Sequence, residues 1–148
     1  MRKRLLRNQR GAALLETAIT IPLVLLIAVS IFEFGRAYQT WQVLTNAARE
    51  GARVAVISEN TDAQVTAMVR AYMRNGGLPA AASATVNINR AQPLAATTRA
   101  DDTVSVITVS YPFSFIVLNP VARLVVSGSN TGSAALTMTS VATMRNEI

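Results

Sequence analysis

Sixteen consecutive uncharged residues separate Glu16 from Glu33, and the twenty-one residues from Ala12 to Phe32 carry Glu16 as their single charge. At 1.5 Å per residue a helix of that length rises about 31 Å, close to the ~30 Å hydrocarbon thickness of a bilayer. The run therefore predicts a membrane-inserted helix. Arg2, Lys3, Arg4, Arg7 and Arg10 all precede it. Basic residues flanking a span are retained on the cytoplasmic side, which sends everything beyond Phe34 across the membrane, to the periplasm in a bacterium. A cleaved secretory signal is the competing reading, since Ala28-Val29-Ser30 loosely resembles a small-residue cleavage site. The apolar stretch is long against the usual ~7–15 residues of such signals, and the large Ile31 and Phe32 follow at once.

The formal charge of +6 over 148 residues would suggest nucleic acid were it not so unevenly placed. From Ala12 onward nine basic residues face eight acidic ones, so the basicity belongs to the leading segment and no nucleic-acid partner is expected. The chain has no cysteine and no histidine. It thus lacks a disulfide framework, the commonest transition-metal ligands and most nucleophile–base pairs. Asp101-Asp102 is the one acidic pair, but adjacent residues entering a strand point to opposite sides, and a solvated turn is the simpler assignment. No catalytic, cofactor-binding or metal-binding residue is expected, and the chain is not expected to be an enzyme.

Two residues interrupt the apolar run. Pro22 lacks an amide donor and crowds the carbonyl of Ala18, so a helix kink is expected there, with the hydroxyls of Thr17 and Thr20 available to the freed groups. Glu16 is costly in hydrocarbon, though less so near an end. It either pairs with Arg10 or water at the cytoplasmic interface, or requires a partner from elsewhere.

Beyond the membrane the helical period continues. Ala37, Trp41, Leu44, Ala48, Ala52 and Ala55 form one narrow apolar face, and a single helix over residues 12–57 is expected. Gly51 falls in this helix at a cost of about 1 kcal/mol, tolerable where another backbone approaches it closely. After a stop near residues 58–60, Asn60 or Thr61 caps a second helix with Val65, Met68, Val69, Tyr72 and Met73 inward, ending at Asn75-Gly76-Gly77. The period then changes to alternation at 84–89, 104–109 and 136–144, three strands for a small antiparallel sheet, with 91–102 as a loop. A short helix is expected over 120–126, with Asn119 as cap and Pro120 as first residue. Phe113, Phe115, Ile116, Val117 and Leu118 form an apolar patch ahead of it. Core beneath the sheet is one reading of the patch; a partner surface formed by Phe113, Phe115, Ile116 and Leu118 is the other. The fold class is α+β.

Gly11, Ala12, Ala13, Leu14, Leu15 and Glu16 place a glutamate five residues after a glycine that ends a basic leader, which resembles the prepilin pattern of type IV pilins. RGAALLETAITIPLVLLIAVSIFEFGRAY followed by LTNAAREGAR is similar to the TadE-like family, pseudopilins of the bacterial tight-adherence (Tad, or Flp) pilus system. Met144, Arg145, Asn146 and Glu147 also resemble that family's terminal Met-Arg-x-Glu. The resemblance implies a pilin-like fold and an inner-membrane protein organised as a leader over 1–11, a long helix over 12–58 with about 12–34 in the membrane, and a periplasmic α+β domain over 59–148. It also implies cleavage between Gly11 and Ala12 by a prepilin peptidase. Glu16 would then serve recognition and subunit register, its carboxylate matched by the α-amino group of a neighbouring Ala12. Implied partners are the peptidase, other pilins or pseudopilins, the inner-membrane assembly platform and membrane lipid. The filament subunit of these systems is shorter and commonly has tyrosine after the glutamate; Thr17 and the sizeable carboxy-terminal domain favour a minor component. A membrane-anchored envelope binding protein that never enters a filament is the alternative.

Overall fold

The computed structural model describes residues 9–93, 103–125, 128 and 134–146. In chain order it contains α1 (Gln9–Ala55), α2 (Asp62–Asn75), a 3-10 turn (Ala81–Ser83), β1 (Thr85–Pro93), β2 (Thr103–Phe113), α3 (Leu118–Val125) and β3 (Leu136–Arg145). Among the described residues the sheet has three antiparallel strands in the order β1-β2-β3. The architecture is α+β, a long apolar amino-terminal helix followed by a second helix and a sheet. The chain divides into two compact units, Met1–Gly35 with Phe115–Ala134 and Arg36–Ser114 with Ala135–Ile148.

The second unit has its core where α1, α2 and the sheet meet. Leu44, Ala47, Ala48, Ala52 and Ala55 from α1 are buried with Val65, Val69 and Met73 from α2, and with Ile107, Val109, Tyr111 and Phe113 from β2. The buried face of α1 differs from the expected one at its start: Trp41 is 48% exposed and Thr40 is buried instead. Thr40 tolerates burial because its hydroxyl donates to the Arg36 carbonyl at 2.9 Å, while the Trp41 ring lies 6.2 Å from that of Tyr38. Gly51 lies at a close approach of α1 to α2 and β2. A β-carbon there would sit 2.6 Å from Val69 Cγ2 and 3.3 Å from Ile107 Cγ2, so hydrogen is the only substituent that fits without displacement.

Helix ends follow from where backbone groups find partners. α1 starts at Gln9, before the expected Ala12, because one glycine at position 11 does not break a helix. It stops at Ala55, short of Ile57. There the Asn60 side-chain amide donates to the Val54 carbonyl at 3.0 Å, and Arg90 Nη1 donates to the Ala55 carbonyl at 3.0 Å. Orphan carbonyls that usually await a cap are thereby satisfied from 6 and 35 residues away. Thr61 caps α2 through a reciprocal pair: the Gln64 amide donates to Thr61 Oγ1 and the Thr61 amide to Gln64 Oε1. At the other end Gly77 takes φ +82°, the left-handed conformation that lets Leu78 N–H return to the Met73 carbonyl at 3.0 Å.

In the sheet, Val86 opposes Val109, which opposes Ser140; Ile88 opposes Ile107, which opposes Ala142. The alternating sets expected from sequence thus share one face. β1 runs on to Pro93, so residues 91–93, expected in a loop, are strand after a register shift between Asn89 and Gln92. Proline is admissible there because β1 is an edge strand. Pro112 of the central β2 lies beyond Ser110, where pairing with β1 has ended. The Asp101-Asp102 pair lies outside the described residues. α3 begins at Leu118, two residues before the expected Pro120, for a reason found in the first unit; the expected last residue, Val126, lies outside the description.

Candidate functional site

Among the described residues the first unit presents an apolar helix surface that is largely exposed. Leu14, Leu15, Ile19, Leu23, Ile27 and Ile31 are all exposed. Polar side chains along this stretch turn inward on the helix itself. Thr17 Oγ1 donates to the Ala13 carbonyl at 2.8 Å, Thr20 Oγ1 to the Glu16 carbonyl at 2.7 Å and Ser30 Oγ to the Leu26 carbonyl at 2.7 Å. Such back-bonding spares a hydroxyl the cost of facing hydrocarbon. The two threonines therefore do not serve the Ala18 carbonyl that Pro22 leaves without its amide, contrary to expectation, and α1 continues through Pro22 without a break.

Gly11, Ala12 and Glu16 are exposed on the first turns of α1, with Glu16 at the end of a shallow groove lined by Thr17, Thr20, Ile21, Val24 and Leu25. Residues 1–8 and the side chain of Arg10 lie outside the description.

At the opposite end of the apolar run is a group that sequence reasoning missed. Glu33 is 1% exposed, and its Oε1 accepts from three successive backbone amides: Ile116 at 2.7 Å, Val117 at 2.5 Å and Leu118 at 3.4 Å. Ile116 and Val117 directly precede α3 and Leu118 opens it, and amides at this point of a helix have no carbonyl partner within it. A carboxylate there satisfies them and faces the positive end of the helix dipole. This explains why α3 can begin ahead of Pro120, whose missing donor is harmless within a first turn. The available signal was an acid immediately after an apolar run; its partner, 83 residues further along, had none.

The candidate partner surface divides. Phe113 is core, not surface: it ends β2 at 2% exposure with the Arg36 guanidinium 5.2 Å from its ring centre. Phe115 and Leu118 are half-buried, and Ile116 is 62% exposed. The expectation fails at Phe113 because alternation in β2 puts the odd-numbered residues from 105 to 113 inward.

Two further polar residues organise the second unit. Arg90 Nε donates to Asp62 Oδ1 at 2.8 Å while its Nη1 holds the end of α1, tying β1 to both helices. Asn146 accepts from Ser105 Oγ at 2.6 Å and donates through Nδ2 to the Arg90 carbonyl at 2.7 Å and to Thr103 Oγ1 at 2.9 Å. The Glu50 carboxyl is held below its usual range, chiefly by its hydrogen bond to Arg53, against a smaller opposing effect of burial. It is a solvated pair one helical turn apart. Among the described residues no three carboxylate, histidine or cysteine side chains gather to hold a metal.

No curated protein and no solved structure matches the chain. A family model does match over residues 11–53: it begins at Gly11, covers the exposed apolar helix with Glu16 and Glu33, and ends on the α1 face that enters the second unit's core. That family is described as TadE-like protein, and residues 11–53 of this chain are similar to it.

Proposed function

We propose that this chain is a minor pseudopilin of a bacterial tight-adherence pilus, held in the inner membrane by α1 with its amino-terminus cytoplasmic and its α+β domain periplasmic. A prepilin peptidase cuts between Gly11 and Ala12, and the mature protein works with other pilins and the assembly platform in building a pilus for surface adhesion. The observation that carries this reading is the TadE-like match starting at Gly11, on a helix whose next 21 residues have only Glu16 as a charge. The part is structural rather than catalytic.

Glu16 has a physical role in this scheme. An exposed carboxylate on an apolar helix is costly in lipid unless paired, and the α-amino group created at Ala12 of a neighbouring subunit is a charge of the right sign. A subunit out of register leaves both unmatched, so the pair selects axial position.

Mass spectrometry of the amino-terminus in cells with and without the peptidase tests the proposal. A chain starting at Ala12 is expected when the enzyme is present, and one retaining Met1 to Gly11 when it is absent. An intact leader in both overturns the reading and leaves an anchored envelope protein. Within the scheme, Glu16→Gln is expected to reduce pilus output; unchanged cleavage, assembly and output would remove the register role.

A further inference from the structure

Glu33 fixes more than a helix start, because its own depth is known once α1 is taken to cross a bilayer. The inference rests on that anchor reading. The apolar run ends at Phe32, about 31 Å from Ala12 along the helix, so Glu33 lies where hydrocarbon gives way to headgroups. Exposed Phe32 and Phe34 border it, and exposed Tyr38 and Trp41 follow on the same helix, side chains that favour this boundary. The amides of Ile116 and Val117 are 2.7 and 2.5 Å from the Glu33 carboxylate, which places that segment at the same depth.

The segment is suited to the position. Phe115, Ile116, Val117, Leu118, Pro120 and Val121 are apolar, Ile116 is 62% exposed, and α3 carries Arg123 as its single charge. Its leading amides, which would otherwise resist leaving water, are occupied by Glu33. An element with an apolar side, a basic residue and its amides at 116–118 already occupied is favoured in the interfacial layer.

We propose that residues 115–121 are an interfacial element lying on the periplasmic leaflet of the bilayer that α1 crosses, held at headgroup depth by the Glu33 carboxylate. The lipid surface, not a protein, covers Ile116.

The absence of cysteine allows the test to be made with single labelled sites in the full chain. Ile19→Cys, Ile31→Cys and Ile116→Cys each carry an environment-sensitive fluorophore in vesicles of phosphatidylethanolamine and phosphatidylglycerol. Some of the lipid bears a nitroxide either near the glycerol or deep in the acyl chain. The shallow nitroxide is expected to lower emission at 31 and 116 to a similar extent, and the deep one to act mainly at 19. Quenching at 31 without quenching at 116 overturns the proposal, keeps the anchor and leaves that face to another protein. No quenching at 19 or 31 removes the anchor reading and this inference with it. Adding Glu33→Ala to the Ile116→Cys chain is expected to reduce quenching at 116; unchanged quenching would overturn the holding role of Glu33.

Discussion

At position 51 a single methyl group is too much. The β-carbon of an alanine would fall 2.6 Å from Val69 Cγ2, and Val69 is β-branched and fully buried, so it has little freedom to turn aside. Overpacking of this kind costs roughly 1–3 kcal/mol, against the ~1 kcal/mol that alanine gains over glycine inside a helix. Gly51→Ala is therefore expected to lower the thermal midpoint of the full chain in detergent, and a raised midpoint would show that Val69 moves at no cost. Sequence alone suggests a close backbone approach at Gly51, whereas the groups that approach are the side chains of Val69 and Ile107. For Glu33 and Arg90 it offered less, since each is an isolated charge in an unremarkable context. Arg90 acts through contacts with Asp62 and Ala55, 28 and 35 residues away, which no local pattern encodes.

The two shorter helices start by different means. α2 is capped from within, by Thr61 and Gln64, and a Thr-x-x-Gln spacing can be read directly from neighbouring residues. Thr61→Ala is expected to cost about 0.5–2 kcal/mol, seen as a lower urea midpoint with an unchanged denaturant slope. A changed slope would mean that the substitution alters more than the cap. α3 is capped from outside by Glu33, so the local Asn119-Pro120 signal marks a start two residues later than the one observed. The sheet behaves in the same way. Alternation located all three strands, whereas the extension of β1 to Pro93 depended on β2 supplying Thr103 and Val104 as partners.

For the molecule as a whole, charge is divided as sharply as hydropathy. Five basic residues precede Gly11, and the remainder carries nine basic and eight acidic residues. Under the proposed processing the mature chain loses those five charges and keeps one α-amino group, so isoelectric focusing should resolve it as a distinctly less basic species than the precursor. A single strongly basic species in peptidase-positive cells would contradict cleavage. The long apolar helix, the order of helices and strands and the TadE-like resemblance all rest on hydropathy, period and spacing, which are properties of residues close together in the chain. They are therefore legible in the chain without its fold. The burial of Glu33, the entry of Thr40 rather than Trp41 into the core and the placing of Phe113 inside while Ile116 stays out depend on how segments pack. Those outcomes turn on contacts as far as 85 residues apart, and folding is what brings such groups to hydrogen-bonding distance.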